Sequence, residues 1–301
     1  MGSRIPSSNG LIGLARGSWQ VELAPDAGGS VARFDLKRGD EILPLFRPAT
    51  PESLAHADAR GMGCFPLFPY SNRIELGWMG LQTNHPAFPL PIHGESWLRP
   101  WNLDHAGSDS AVLSHRHDGT RGWPQAYAAT QSFRLTDDGL HVELALTNHG
   151  ERTAPAGFGL HPYFHRTPAT RIGAGTETVW ENGPDMLPLH RIAVPPAWRL
   201  DPPRRADDLV LDNCFGGWAG AADIIWPDRN LALRMTATAP LRHLVVYTPA
   251  GRDYFCLEPV SHCNNGFALA ARAAADTGTL MLAPGATITA TVAFRPRFLA
   301  G

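Results

Sequence analysis

The clearest regularity along the chain is a strict alternation of apolar and polar positions in Leu140–Thr147. Leu140, Val142, Leu144 and Leu146 fall on one side of an extended backbone, His141, Glu143 and Thr147 on the other. A period of two marks a strand with one face on a core and the other toward water. Gln131–Leu135 precedes it across Thr136, Asp137, Asp138 and Gly139, residue types that accept tight-turn backbone, so the two pieces predict a hairpin. A second hairpin is predicted from Asp223–Trp226 and Leu231–Thr236 around Pro227–Asn230. Further strands are expected at His243–Tyr247, Tyr254–Leu257, Thr279–Leu282 and Thr287–Phe294. Helical periodicity is nearly absent, and Phe267–Ala275, with its alanine run, is the one short helix expected.

Many short strands separated by turn residues, with 30 Gly and 27 Pro, predict an all-β sandwich or barrel. Such folds often run to this length as one unit, so residues 1–301 are expected to form a single domain. The proline-rich stretches 86–91 and 195–203 read as internal loops, because strand pattern resumes after each. The 26 basic and 28 acidic residues nearly cancel, and no basic run offers a partner for nucleic acid. No apolar stretch is long enough to span a membrane, and the start, Met1–Gly10, lacks the apolar centre of a secretory signal, so a cytoplasmic location is expected. Cys64, Cys214, Cys256 and Cys263 form no C-x-x-C pair and read as reduced thiols, some of them in the core.

Three segments place polar residues among aromatics, glycines and prolines where a plain core would use aliphatics. They are Phe65–Ile74 leading to Ile92–Trp97, Gly157–His165, and Phe255–Val260. Taken singly, Arg73 reads as a surface ion-pair partner, His93 as a turn residue and His161 as a core histidine. Glu258 is harder to dismiss: Phe255, Cys256, Leu257 and Val260 around it imply a partly buried carboxylate, which is costly unless paired or used.

Together, the segments carry a resemblance. Asn72-Arg73-Ile74, His93-Gly94, the run Gly159 to Phe164, Asp212 with Phe215, and Glu258-Pro259 stand in the order of the aldose 1-epimerase (galactose mutarotase) family, which the chain resembles from about Gly17 to Phe294. The resemblance implies a large antiparallel β-supersandwich of the galactose mutarotase type. It makes His161 the acid that protonates a sugar ring oxygen and Glu258 the base that takes the proton of the C1 hydroxyl. It makes Arg73, His93, Asp212 and Asn72 substrate-binding residues. At reference values a protonated His161 and an ionised Glu258 coexist in weakly acidic to neutral solution, which is the charge state the reaction starts from. No metal or other cofactor is implied. The expected partner is a monosaccharide, and the chain is expected to act as a monomer or homodimer.

The segment His93–Trp97 departs from the longer glycine-rich run of the best-known members, which puts the chain nearer a less characterised branch and leaves the preferred aldose open. A hexose 6-phosphate mutarotase would want a cation cluster, and only Arg73 and Arg99 stand near the motifs. A non-catalytic carbohydrate-binding sandwich is the alternative of another class. His115 and His117 read as histidines of a surface strand rather than metal ligands, and Glu95 as a residue of the pocket rim. Trp78, Trp97, Trp101 and Trp218 could stack on a sugar, with core packing at least as good an account.

Overall fold

The structure is a computed structural model that describes residues 10–299. The stretch read above for a secretory signal lies, apart from Gly10, outside the described residues. Two large antiparallel sheets dominate, one of eleven strands and one of nine. Both predicted hairpins form in the nine-stranded sheet: Ala126–Thr136 with Gly139–Asn148, and Ala221–Trp226 with Leu231–Ala237. Leu140, Val142, Leu144 and Leu146 are all buried in the space between the sheets, as the alternation requires. The fold is the galactose mutarotase-like β-supersandwich. Among the described residues no helix is long and apolar enough to cross a membrane.

Six strands of the larger sheet position the site, and we number them β1 (Cys64–Leu67), β2 (Gly159–His165), β3 (Thr178–Asn182), β4 (Asp212–Gly216), β5 (His243–Tyr247) and β6 (Tyr254–Val260). Their order across the sheet is β1-β2-β6-β5-β4-β3. Each has two buried faces. Leu160, Phe164, Phe215, Leu244, Val246, Phe255 and Leu257 join the core between the sheets. The alternate positions Phe65, Tyr163, Trp180, Cys214, Val245 and Cys256 form a second apolar cluster on the opposite face. Strands buried on both sides lose the alternation that marks half-exposed ones. This is why Phe255–Val260 reads as unbroken apolar chain with one carboxylate in it.

Two expectations need correction. The helix spans Gly266–Ala271, not Phe267–Ala275, and Ala273 already has left-handed backbone at φ 61°. Gly266, Phe267 and Ala268 are buried, whereas Ala271, Arg272 and Ala273 face solvent. Alanine propensity alone does not hold so short a helix beyond the residues that pack. Residues 195–203 are not wholly loop, since Leu200–Arg205 is a strand pairing with Arg171–Ala174 at the rim of the nine-stranded sheet. Pro202 and Pro203 are tolerated there because an edge strand needs ladder donors on one side only. The 86–91 stretch carries no strand.

Candidate active site

Strand register assembles the centre. Phe65 of β1 pairs with His161 of β2, and Glu258 of β6 pairs with Val245 of β5, which in turn pairs with Cys214 of β4. Between them, the pairs Gly159 with Val260 and Tyr163 with Cys256 set His161 opposite Glu258. Side chains of one row share a face. Two residues 97 positions apart in sequence are thereby neighbours: His161 Nε2 lies 3.4 Å from Glu258 Oε1. The imidazole packs against both the Phe65 ring (4.5 Å between centroids) and the Tyr163 ring (4.6 Å, nearly parallel at 11°). Its Nδ1 and the other carboxylate oxygen, Oε2 of Glu258, are buried with no hydrogen-bond partner. Orphaned polar atoms of this kind are expensive and point to a ligand that meets them.

A second group enters from loops. His93 and Asn72 both have left-handed backbone, at φ 60° and 55°, and they clasp each other: the His93 amide donates to the Asn72 carbonyl, and the Asn72 amide donates to His93 Nδ1, each at 3.0 Å. In the neutral ring that bond puts the proton on Nε2, so His93 presents a donor to the pocket. Asn72 Oδ1 accepts from the Arg73 amide (2.8 Å) and from Arg73 Nη1 (3.2 Å), which aims the guanidinium. The Arg73 carbonyl is held by the Asn265 amide at 2.7 Å. Gly94 completes the turn at φ 70°, where an added Cβ would overlap the Phe68 carbonyl. Gly94→Ala is therefore expected to cost ~2 kcal/mol or more in stability, read as a lowered urea midpoint.

Asn72, Arg73, His93, His161, Asp212 and Glu258 all line one cavity of ≈ 220 Å³. That is below the ~300–1,000 Å³ of sites for drug-sized ligands and suits one small ring. The remaining wall is mostly aromatic, with Ile92 and Arg60 beside the rings. Trp97, whose indole N–H donates to the Ile92 and Gly94 carbonyls, stacks on Phe65 at 5.5 Å. Tyr247, Tyr254, Phe88 and Arg60 also face the cavity, and sequence reasoning missed them. The two tyrosines end and begin predicted strands, where they look like ordinary strand formers. Only the register places them on the pocket face.

Burial decides the charge states, and it reverses the one expected from reference values. Loss of solvent, then the nearby Arg47 charge, pushes the His161 imidazole down to about 3. Burial, then the charge of Asp212, pushes Glu258 well above the ordinary carboxylate value, with Arg73 opposing. Asp212 is itself raised by burial and restrained by Arg73. His93 is lowered far below 6.5 by burial, with His161 and Arg73 adding to the effect, so it stays neutral. Burial thus favours neutral imidazole beside neutral carboxyl over the expected ion pair. Both arrangements hold the same single proton.

Other expectations fall elsewhere. Glu95 is buried, not at the rim, and lines a separate hollow of ≈ 670 Å³ with Arg99, Arg116 and His117 that touches neither His161 nor Glu258. His115 is likewise buried rather than on the surface, its ring 5.5 Å from Trp101. Trp101 and Trp218 belong to the core, and Trp78 packs on Phe267. The four cysteines are buried and free.

The structure is thus a two-sheet sandwich with a histidine and a glutamate in contact, both buried on one face of the larger sheet. The chain belongs to the aldose 1-epimerase family, whose sequence profile it matches over residues 15–295. It is 32% identical over 302 residues to the protein YphB of Escherichia coli K12, covering 95% of this chain and 98% of that one. Its fold is similar to a crystal structure of an Escherichia coli K12 protein assigned provisionally as an aldose 1-epimerase, with TM-score 0.85, 30% identity, and 96% and 99% of the two chains covered. It is also similar to a galactose mutarotase-like protein from Clostridium acetobutylicum, with TM-score 0.81, 17% identity, and 96% and 95% covered, a likeness of fold.

Proposed function

We propose that the protein is an aldose 1-epimerase that interconverts the α and β anomers of a free aldose, with His161 as acid and Glu258 as base. The observation that carries this reading is the 3.4 Å contact between His161 Nε2 and Glu258 Oε1 in a pocket for one ring. The C1 hydroxyl and the ring oxygen of a hemiacetal are bonded to the same carbon, so their acid and base must stand side by side. Glu258 takes the proton from the C1 hydroxyl, His161 donates one to the ring oxygen, and the bond from C1 to that oxygen breaks to leave an aldehyde. The pair passes from imidazolium and carboxylate to neutral imidazole and carboxylic acid, the form that burial favours. Rotation about the bond from C1 to C2 and the reverse transfers close the ring on the other face. His93 Nε2–H, Arg73, Asp212 and Asn72 hold the sugar's oxygens.

An unphosphorylated substrate is supported by the fate of the nearby cations. Arg99 lines the other hollow, and Arg60, although at this pocket, is bound to Asp58 at 2.7 Å. A phosphate would find no free cluster there.

Polarimetry of freshly dissolved α-glucose, α-galactose and α-xylose tests the activity. Relaxation faster than the spontaneous rate, in proportion to protein added, is expected for at least one of them; a sugar-binding module would leave the rate unchanged. The active pair holds one proton, so activity falls as pH drops through His161's value of about 3, where a second proton binds. It falls again as pH rises through the raised Glu258 value, where the single proton leaves. The expected kcat/KM profile is flat across weakly acidic pH, and an acid limb near 6.5 would contradict the assignment.

A further inference from the structure

Cys256 has no part in the acid-base scheme, yet it stands in the same place. It lies two residues before Glu258 on β6, so the two side chains share a face, and β2 brings His161 alongside. The imidazole nitrogen, the thiol sulfur and a carboxylate oxygen of these residues all lie within 4.8 Å of one another, and all three residues are buried. Three atoms so placed fit within a circle of radius about 2.8 Å, whereas zinc bonds to such ligands run ~2.0–2.3 Å. Side-chain adjustment of about half an ångström or a little more at each ligand therefore closes the set around one ion.

We propose that His161, Cys256 and Glu258 form a binding site for a thiophilic divalent cation such as Zn²⁺, and that its occupancy inhibits the protein. The donor set is what selects the cation. Thiolate and imidazole favour zinc and its neighbours over Mg²⁺ or Ca²⁺, which prefer all-oxygen shells. The thiol proton, and the proton of the His161–Glu258 pair, leave to solvent as the ion binds. Thiolate and carboxylate together balance the charge of the ion, and Asp212 and Arg73 nearby offset one another. With three protein ligands, the fourth position is open to water in the cavity.

Inhibition rests on the epimerase reading, because the ion takes up the lone pair and the carboxylate that the reaction needs. The site itself does not rest on it. The tests separate the two. Titration of the full chain with Co²⁺ is expected to produce intense visible bands of a tetrahedral ion and a near-ultraviolet thiolate-to-cobalt band, both erased by Zn²⁺. Cys256→Ala should lose the thiolate band and weaken Zn²⁺ binding by roughly tenfold or more, while Cys214→Ala retains both. In polarimetry, Zn²⁺ should slow the wild-type protein reversibly, with chelator restoring the rate, and Cys256→Ala should keep its metal-free rate but resist Zn²⁺.

A cobalt complex without the thiolate band, or one undiminished in Cys256→Ala, overturns the site. Acceleration by Zn²⁺ overturns the inhibition. A cobalt complex with the expected spectrum in a protein that never speeds anomer exchange supports the site and removes the epimerase reading instead.

Discussion

Replacing Glu258 by glutamine is expected to lower the rate of anomer exchange by ~10²–10⁴-fold or more, because the amide keeps the shape of the carboxylate but cannot take the proton of the C1 hydroxyl. The variant should fold and still bind sugar, since an amide oxygen can accept the hydrogen bonds that Glu258 receives. Stability sharpens the test. The folded chain holds the Glu258 proton more tightly than the unfolded chain does, because burial raises its value above the ordinary 4.5. Stability that this proton contributes is present below 4.5 and is lost as pH rises through the raised value. The amide has no such proton, so Glu258→Gln should be as stable as the wild type at low pH and equally or more stable at neutral pH. Activity lost together with the folded state would show damage to structure instead. Near-normal turnover would remove Glu258 from the mechanism.

His161→Asn and Arg73→Ala are expected to part along different kinetic constants. The asparagine cannot carry a proton to the ring oxygen, so kcat should fall by ~10²-fold or more with a modest change in KM. Arg73 touches no proton that moves, but Asn72 aims its guanidinium into the cavity. Removing a charged donor to a sugar hydroxyl costs ~1.5–3 kcal/mol, about ten- to a hundredfold in KM. Some fall in kcat is expected as well, because Arg73 opposes the rise of Glu258 and Asp212. Steady-state kinetics on both variants checks the split; a pure KM effect in His161→Asn would contradict its role as acid.

The amount of this molecule legible in the sequence follows from where water lies. The hairpin of Leu140–Thr147 is plain because one face of it is wet, and the alternation survives. Ser30–Arg38 is a strand with almost every inward and outward position covered through Asp35 and Leu36, so no period marks it, and the sequence reading passed over it. β2 is equally masked as a strand, and β6 is expected only over Tyr254–Leu257, yet both stand out chemically, because a histidine and a glutamate are conspicuous in apolar surroundings. All six predicted site residues line one cavity, although Asn72, Arg73, His93 and Asp212 are legible only through the family resemblance and not from their own surroundings. The charge states were not legible, since reference values assume water and this pair has lost it. Tyr247 and Tyr254 were invisible as pocket residues because facing is a property of register, set by partners far along the chain.

The proposed reaction depends on one sugar being gripped at a single carbon by two side chains from adjacent strands. A crystal structure of the Glu258→Gln variant soaked with a monosaccharide tests this directly. The ring oxygen is expected within ~2.6–3.2 Å of His161 Nε2 and the C1 hydroxyl within the same distance of the amide at position 258. A sugar seated in the ≈ 670 Å³ hollow beside Glu95, or one whose C1 points away from both side chains, would contradict it.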